Sequence, residues 1–260
     1  MRSDGTVSER TARALQGVEQ AGAVVVLVTG RPPRWLAPVA EATGRTGLAI
    51  AANGALVLDL GTGRVISART IETAVLSDVV GRLEAELPGV SFAAEYPDGF
   101  AREGDYQLTP SGRALAAQAR EVAGRGVDRV ALTARPAVKL LARHAATPPD
   151  ELLARAREIV GDTVELTHSS RAGGLLEISA SGVSKASALA ELCARRGISA
   201  SEVVAFGDMP NDLPMLAWAG LPYAMANAHP DVLAAVGRHA PSNDEDGVAA
   251  VLEELFALRR

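Results

Sequence analysis

The stretch VVAFGDMPNDLPML, residues 203–216, decides the fold because it joins a buried strand to a cluster of polar side chains. Its first residues form an apolar, β-branched run, which is typical of a parallel strand covered on both faces. Asp208 follows the run, and Asn211 and Asp212 stand at the start of a short predicted helix. Open α/β sheets bind ligands at the carboxyl ends of their strands, so we expect a ligand site here.

Two carboxylates and a carboxamide within five residues indicate a cation at this strand end. Oxygen-only ligands suit Mg²⁺, which takes one or two carboxylates together with waters and a substrate phosphate. The structural alternative makes Asp212 and Asn211 helix caps and places Asp208 in a turn. Capping accounts for one acidic residue but not for the whole set. We therefore assign Asp208 and Asp212 as metal residues.

Two further buried strands are predicted in AVVVLVTG (23–30) and LAIAANG (48–54), with a helix between them. A helix between two such strands indicates a parallel sheet. The last third alternates in the same way, whereas residues 72–174 carry charged amphipathic helices and short alternating strands. We predict an α/β fold in which residues 1–71 and 175–260 form a doubly wound, parallel-sheet core and residues 72–174 an α+β insertion.

The first of these strands ends in Thr29-Gly30-Arg31, a loop that can hold a phosphate. The threonine hydroxyl and the glycine backbone N–H can donate to a phosphate oxygen, and glycine permits close approach. The structural alternative is a common turn. Lys185, one of two lysines in the chain, begins a predicted helix, where its charge is disfavoured by the helix dipole and suggests a bound anion. A solvated lysine at a frayed helix end is the alternative for that residue.

Composition limits the classes of partner and the cellular compartment that we expect for the protein. The net charge of −5 gives no reason to expect nucleic acid or an anionic membrane as a partner. No apolar run is long enough to span a bilayer, and residues 1–10 lack the apolar segment of a signal peptide. Cys193 is the single cysteine, which excludes an intrachain disulfide, and we interpret it as a core or boundary residue of a helix. These features favour a cytoplasmic protein.

A phosphate-binding threonine, a lone lysine and an acidic metal cluster, in that order, resemble the haloacid dehalogenase (HAD) phosphatases. The resemblance is closest to the Cof-type branch, whose cap is inserted between the second and third motifs, and it covers nearly the whole chain. Further matching segments are Ala52-Asn53-Gly54-Ala55, Gly182-Val183, Met225-Ala226-Asn227-Ala228 and Asn243-Asp244-Glu245-Asp246-Gly247-Val248-Ala249. The last of these and the run at 207–216 are specific.

The resemblance implies Mg²⁺-dependent hydrolysis of a phosphate monoester through an aspartyl-phosphate. Carried over by position, Thr29 and Lys185 hold the transferring phosphoryl group, and Asp208 and Asp212 bind or orient Mg²⁺. The other phosphate-site residues that it implies are Gly30, Arg31, Asn53 and Asn211. Such transfers depend largely on positioning and charge neutralisation.

The family's nucleophile and general acid are two aspartates, two residues apart, in its first motif. Asp4-Gly5-Thr6 resembles the end of that motif, but Arg2 would then take the nucleophile's place, and a guanidinium cannot attack phosphorus. Only three residues precede Asp4, too few for the strand that carries the motif. We interpret residues 3–6 as a polar turn. We expect the first strand and both catalytic aspartates to be missing from this chain, which leaves an open slot in the sheet.

Two accounts of that expectation stay open. Either the true protein begins further upstream, or a genuine truncation binds a phosphate ligand without hydrolysing it. The first account predicts a Mg²⁺-dependent phosphatase of a small phosphorylated metabolite, such as a sugar phosphate, in its full-length form. The second predicts a non-catalytic phosphometabolite-binding or sensor protein.

The insertion offers candidates for substrate selection but no motif for a particular substrate. Lys139, Arg143 and His144 lie close together in a predicted strand and at its end, and a solvated face explains them equally well or better. His168 is interpreted as a surface residue rather than a ligand. The sequence carries no signal of oligomeric state.

Overall fold

The computed structural model describes residues 1–44, 47–108, 126–169 and 174–258. In chain order the strands are β1 (Val26–Val28), β2 (Leu48–Ala51), β3 (Leu56–Asp59), β4 (Val65–Ala68), β5 (Ser91–Tyr96), β6 (Gly99–Arg102), β7 (Lys139–His144), β8 (Val164–Thr167), β9 (Gly174–Ala180), β10 (Val204–Gly207), β11 (Leu221–Met225) and β12 (His239–Ala240). The described helices are α1 (Glu9–Gln20), α2 (Ala37–Ala42), α3 (Thr73–Glu86), α4 (Arg129–Thr133), α5 (Pro149–Val160), α6 (Lys185–Arg195), α7 (Leu213–Trp218), α8 (Pro230–Ala235) and α9 (Gly247–Leu255). No helix in these ranges combines the length and the apolarity needed to cross a bilayer.

Two sheets make up the core, and their parallel pairs confirm the predicted α/β class. In the first sheet, ordered β1-β2-β3-β4, strands β1 and β2 run parallel with Val26 opposite Leu48. In the second sheet, β11 lies between β10 and β12 and is parallel to both. The sequence analysis did not predict the antiparallel hairpin of β3 and β4. Buried and half-buried residues alternate along β3, which suits a strand with one face on the core.

The inserted residues form an antiparallel sheet of five strands ordered β6-β5-β7-β9-β8, which together with α3, α4 and α5 we call the cap. One apolar cluster fills the space between this sheet and its helices; its largest members include Phe92, Leu76, Leu140, Leu152 and Leu176. The predicted α+β insertion is therefore confirmed. Segments 109–125 and 170–173 of the predicted insertion lie outside the described residues.

The cap sheet extends beyond residue 174, the predicted carboxyl-terminal boundary of the insertion. Strand β9 pairs with β7 and β8, so the cap sheet continues to Ala180. The apolar run of β9 carries no sign of which sheet it will join, because partner choice depends on non-local contacts. The other predicted domain limits stay a prediction.

A groove of about 580 Å³ separates the two core sheets. It is lined by apolar side chains from β1, β10, α1, α6 and α9, among them Leu15, Val26, Val28, Leu189, Phe206 and Leu252. Both β1 and β10 are edge strands of their sheets. Within the described residues, the backbone groups on the groove side of these two strands therefore have no strand partner.

Helix α6 begins against the loop that follows β2. Ser184 caps the helix by accepting the N–H of Ser187 at 3.1 Å, and its own N–H donates to the Ser187 hydroxyl at 2.9 Å. Gly54 has a φ of +106° and lies so close to the helix that a Cβ there would collide with the Ser184 carbonyl oxygen. Glycine at position 54 therefore sets the distance between β2 and the helix that carries Lys185.

Two interpretations of single residues are confirmed. Asp4 is exposed and accepts the N–H and the hydroxyl of Thr6 at 2.8 and 2.7 Å, as in a polar turn. Cys193 is buried on α6 within an apolar cluster, and burial raises the pKa of its thiol.

We expect Gly54→Ala to lower the free energy of unfolding by about 3 kcal/mol or more, because the methyl group adds a clash to a left-handed backbone. Gly63→Ala is the matched control. Gly63 also has a positive φ, +68°, but no atom lies within 4 Å of a Cβ placed there. Gly63→Ala should therefore lower the free energy of unfolding by about 1–2 kcal/mol, the cost of a left-handed backbone conformation alone. Urea unfolding followed by circular dichroism measures both values, and equal losses would contradict a tight contact at position 54.

Candidate active site

One cavity of about 630 Å³ collects polar residues from the three separate segments singled out in the sequence. The predicted site residues that line it are Thr29, Gly30, Arg31, Lys185, Asp208, Asn211 and Asp212. Thr29 follows β1, Asp208 follows β10, and Lys185 begins α6. The convergence follows from topology, because the carboxyl ends of parallel strands in the two core sheets meet at one rim.

A buried ion pair between Lys185 and Asp212, which are 6% and 5% exposed, stands in the cavity wall. Lys185 Nζ donates to Asp212 Oδ1 at 2.6 Å. The other carboxylate oxygen accepts the backbone N–H groups of Asp208 at 3.0 Å and Met209 at 3.1 Å. With both oxygens engaged, Asp212 orients Lys185 and the loop after β10.

The side-chain oxygen of Asn211 is buried and accepts no hydrogen bond from the described residues. Its Nδ2 donates to Asn53 Oδ1 at 3.1 Å, whereas its own Oδ1 has no hydrogen-bond partner among the described residues. Leaving a buried acceptor unpaired costs free energy. This oxygen therefore suits a bound cation or the N–H or O–H group of a ligand.

Oxygen donors at this rim fit Mg²⁺. In the part of the chain that the structure describes, no three His, Cys, Asp or Glu side chains come together as a metal site. Mg²⁺ nevertheless needs few protein ligands, because it usually retains several waters and takes one or two carboxylates with a substrate phosphate. Asp208 supplies a carboxylate of this kind beside the cavity.

The loop after β1 is held by its neighbours. The Thr29 N–H donates to the Ile50 carbonyl at 2.8 Å, and the Thr29 hydroxyl accepts the Arg31 N–H at 3.1 Å. The half-buried guanidinium of Arg31 lines the cavity, and burial lowers its pKa. It has no carboxylate partner within the described ranges, so an anion in the cavity would offset its desolvation.

Asn53, predicted as a phosphate-site residue, lies behind the cavity wall rather than in it. It is buried, with a left-handed φ of 60°, and its N–H donates to the Thr29 carbonyl at 3.1 Å. Its carboxamide donates to Glu177 Oε2 at 2.8 Å and accepts from Asn211. Asn53 thus supports groups that face the cavity.

Lys139 contradicts the interpretation of a solvated face. It is 3% exposed, and its ammonium donates to Glu177 and to the carbonyl oxygen of Gly30. Glu177 is also buried and accepts from the Ser169 hydroxyl. The sequence analysis missed Glu177 and Ser169, because no local pattern shows that the cap lies over the loop after β1. One sequence feature pointed to Lys139: lysine occurs only twice in the chain. In the structure both lysines are buried in ion pairs.

The remaining cap candidates lie outside the cavity. His168 is buried rather than on the surface as predicted, and its Nε2 lies 2.8 Å from Asp150 Oδ1. That burial depends on how α5 packs against the end of β8, which sequence spacing does not reveal. Arg143 and His144 are half-buried and contact the backbone oxygens of Gln107 and Pro88.

The amino terminus lies where the cavity meets the groove between the core sheets, since Met1 lines both. Burial lowers the pKa of the Met1 α-amino group, while nearby Asp208 acts to raise it and Arg31 to lower it. Arg2 pairs with Asp246 at 3.1 Å. This contact fixes the start of the chain beside the predicted phosphate and metal residues.

Comparison with known proteins gives the same family as the motifs. A model of the haloacid dehalogenase-like hydrolase family matches residues 1–252. YxeH of Bacillus subtilis is 47% identical over 79 residues, 30% of this chain and 29% of that protein. YbjI of Escherichia coli, named a 5-amino-6-(5-phospho-D-ribitylamino)uracil phosphatase, is 38% identical over 111 residues, 41% of this chain and 40% of that protein. These alignments span less than half the length of either relative.

Solved structures agree over nearly the whole chain. A Thermotoga maritima protein is 28% identical with a TM-score of 0.75, covering 98% of this chain and 92% of its own. A haloacid dehalogenase-like hydrolase from B. subtilis shares the fold with a TM-score of 0.83 at 24% identity, covering 98% of this chain and 95% of its own. With the family model matched from residue 1 to residue 252, the chain belongs to the haloacid dehalogenase-like hydrolases, in their Cof-type branch.

Proposed function

We propose that this chain provides most of a Mg²⁺-dependent phosphatase that hydrolyses a small phosphorylated metabolite. The observation that carries the proposal is the convergence of Thr29, Arg31, Lys185 and Asp208 on one cavity. Two cationic groups, a hydroxyl and a carboxylate at the rim of an α/β sheet suit a phosphate monoester and a divalent cation.

In this proposal the phosphoryl group lies between the Thr29 hydroxyl and the Lys185 ammonium. Arg31 adds positive charge, and Gly30 lets the backbone approach the phosphate closely. Asp208 would hold Mg²⁺, and Asn211 would support the phosphate end of the site. Asp212, assigned to the metal from the sequence, would instead orient the site through Lys185, because both of its carboxylate oxygens are engaged. When bound, Mg²⁺ supplies positive charge that stabilises the phosphoryl oxygens.

We place the attacking carboxylate on a strand, outside these 260 residues, that fills the groove between β1 and β10. The groove is apolar and bordered by two strand edges, which supports a β-strand as its occupant. A strand parallel to its neighbours would end at the rim, beside Asp208 and Arg31. The carboxylate would attack phosphorus and break the bond to the ester oxygen, and the second aspartate of the same motif would give that oxygen a proton so that the alcohol leaves. Water would then hydrolyse the aspartyl-phosphate, which releases inorganic phosphate and regenerates the carboxylate.

For the substrate we propose a compact organic phosphate of the sugar-phosphate kind. YbjI is named for a phosphorylated ribityl compound, and one neighbour of the same fold, at a TM-score of 0.81 and 20% identity, is called a subclass IIB sugar phosphatase. The cap contributes Phe100, Tyr106 and Leu141 to the cavity wall, so the leaving group would meet apolar surface as well as polar groups.

The first test adds the proposed strand. An amino-terminal extension of about six apolar residues followed by Asp-x-Asp-Gly-Thr should give Mg²⁺-dependent release of phosphate from p-nitrophenyl phosphate. Asparagine at the first aspartate of the extension should lower the rate by roughly a thousandfold or more, because the nucleophile is lost. Asp4→Asn is the matched control and should leave the rate unchanged, since Asp4 is exposed and bonded within its own turn.

Other outcomes of that test are informative. A folded, extended protein without turnover would contradict the phosphatase. If the 260-residue chain binds inorganic phosphate and no extension yields turnover, the non-catalytic binding or sensor function would replace it. Turnover by the unextended chain that Asp4→Asn abolishes would show that the nucleophile had been placed wrongly.

The second test removes the buried charge. Lys185→Met in the extended protein should lower kcat/KM by roughly a hundredfold or more, because the phosphoryl group loses its buried ammonium. Arg195→Met is the control on the same helix: Arg195 is exposed, pairs with Glu191 at 2.6 Å, and should change kcat/KM less than about twofold. Lys185→Arg retains a charge if the methionine variant fails to fold. Equal kcat/KM values for the folded Lys185 and Arg195 variants would refute the role assigned to Lys185.

Removal of the metal is a separate test: chelation of Mg²⁺ by EDTA should stop turnover of the extended protein that carries no substitution.

A further inference from the structure

A buried cation of the cap contacts the backbone of the loop after β1. Lys139 lies on β7 and is 3% exposed, and its ammonium donates to the carbonyl oxygen of Gly30. The same ammonium pairs with Glu177, a buried carboxylate on the neighbouring strand β9. Burying an ion pair is costly unless further hydrogen bonds satisfy it, so its position at this interface needs a reason. The proposed phosphoryl chemistry uses neither residue.

The ion pair is held in its charged form. Besides the ammonium, the Glu177 carboxylate accepts hydrogen bonds from the Ser169 hydroxyl and, at 2.8 Å, from Asn53 Nδ2. Burial acts to raise the pKa of the Glu177 carboxyl, but Lys139 and these hydrogen bonds outweigh burial and hold the pKa below its usual value. The ionised carboxylate therefore keeps the Lys139 ammonium in place against the loop after β1.

The peptide group that joins Gly30 to Arg31 is bonded at both ends. On one side its carbonyl oxygen accepts from Lys139, and on the other the Arg31 N–H donates to the Thr29 hydroxyl oxygen at 3.1 Å. The peptide is planar and trans, so its C=O and N–H groups point in opposite directions and turn together. A contact that fixes the carbonyl therefore also fixes the N–H.

This N–H determines where the hydrogen of the Thr29 hydroxyl goes. A hydroxyl has one hydrogen to donate and two lone pairs with which to accept. While the oxygen accepts the Arg31 N–H, the hydroxyl hydrogen is donated to none of the described residues. Thr29 and Arg31 both line the cavity, so this hydrogen is available to a phosphate oxygen there.

Glycine at position 30 permits the contact with the cap and at the same time leaves the loop in need of a restraint. A Cβ there would lie 2.8 Å from Asn53 Oδ1 and 3.1 Å from Glu177 Oε2, so a larger residue would push the cap away. Glycine, however, restricts its backbone dihedrals least, so the peptide that follows it can rotate. A rotated peptide would turn its carbonyl oxygen toward Thr29, take up the hydroxyl hydrogen and repel an anion.

We propose that Lys139 is a positioning residue that holds the Gly30–Arg31 peptide so that the Thr29 hydroxyl donates to phosphate. Glu177 keeps the Lys139 ammonium in place, and the cap thereby sets the polarity of a hydroxyl in the core. Phosphate binding is strengthened when the cap lies over the loop after β1. The inference rests on the phosphate site of the proposed function, but not on turnover.

The test measures the Kd of the 260-residue chain for inorganic phosphate by isothermal titration calorimetry in the presence of Mg²⁺. The double variant Lys139→Met/Glu177→Gln removes one positive and one negative charge, so the net charge around the cavity is unchanged. It should raise the Kd roughly tenfold, because the hydroxyl loses its fixed direction toward the anion. Lys139→Leu/Glu177→Leu, an apolar replacement of the same pair, serves if the first variant fails to fold.

A second set of variants shows whether the effect passes through Thr29. Thr29→Val lacks the hydroxyl and should itself raise the Kd roughly tenfold. In that background Lys139→Met/Glu177→Gln should change the Kd less than about twofold, because no hydroxyl is left to orient. Thr29→Ser retains the hydroxyl and should retain the tenfold response. A merely structural role of the ion pair would give the same response in every background.

The matched control is the ion pair of Arg129 with Glu103, another buried glutamate of the cap. The two side chains meet at 2.6 Å, and Glu103 also accepts the Phe92 N–H at 2.7 Å, contacts that lie within the cap. Arg129→Met/Glu103→Gln should change the Kd for phosphate less than about twofold, because it leaves the Gly30 carbonyl bonded to Lys139.

The outcomes separate this inference from the proposed function. If the chain binds phosphate and the folded Lys139/Glu177 variants leave the Kd unchanged, the positioning role is overturned and the phosphatase stands. An unchanged Kd in Thr29→Val, or an equal response to the loss of the ion pair with and without the hydroxyl, would also overturn it. A chain that binds no inorganic phosphate would refute the phosphate site and the inference together.

Discussion

The buried ion pair between Lys185 and Asp212 fixes the rim on which the site is built. It joins the start of α6 to the loop after β10, and Asp212 also holds two backbone N–H groups of that loop. Removing either partner would strand a buried charge, at a cost of about 3–5 kcal/mol. Gly207 makes the arrangement possible, because a Cβ there would lie 2.5 Å from the Asp212 Cβ. The lack of a side chain on Gly207, at the end of β10, therefore leaves the space in which Asp212 can pair with Lys185 at the start of α6.

Charge pairing explains why the cavity is suited to an anion. Lys139 is balanced by Glu177, Lys185 by Asp212, and Arg2 by Asp246. Among the described side chains of the cavity wall, Arg31 is the cation left without an acidic partner. An anion at the end of β1, where the Thr29 hydroxyl also lies, would therefore offset the desolvation of the Arg31 guanidinium.

Local patterns predicted the parts of the site that lie on single segments. Apolar runs ending in polar residues located Thr29 and Asp208, and the order of motifs gave the family and the inserted cap. Contacts between segments were not predictable in this way. The burial of Lys139 depends on the cap lying over the loop after β1, and that of His168 on the packing of α5. The β3–β4 hairpin was not predicted because each strand has four residues, too few for a clear alternation of apolar and polar side chains.

The continuity of the cap has a consequence for folding kinetics. Its strands come from one stretch, residues 91–180, whereas the core strands come from both sides of that stretch. Contacts such as that between Gly54 and Ser184 must therefore close a very long loop. Non-local contacts of this kind slow folding. The strands of the cap, together with the bond from the Ile71 N–H to the Ala137 carbonyl, bring the ends of the insertion close to each other. A cap that folds early therefore shortens the loop that must close when the two halves of the core meet.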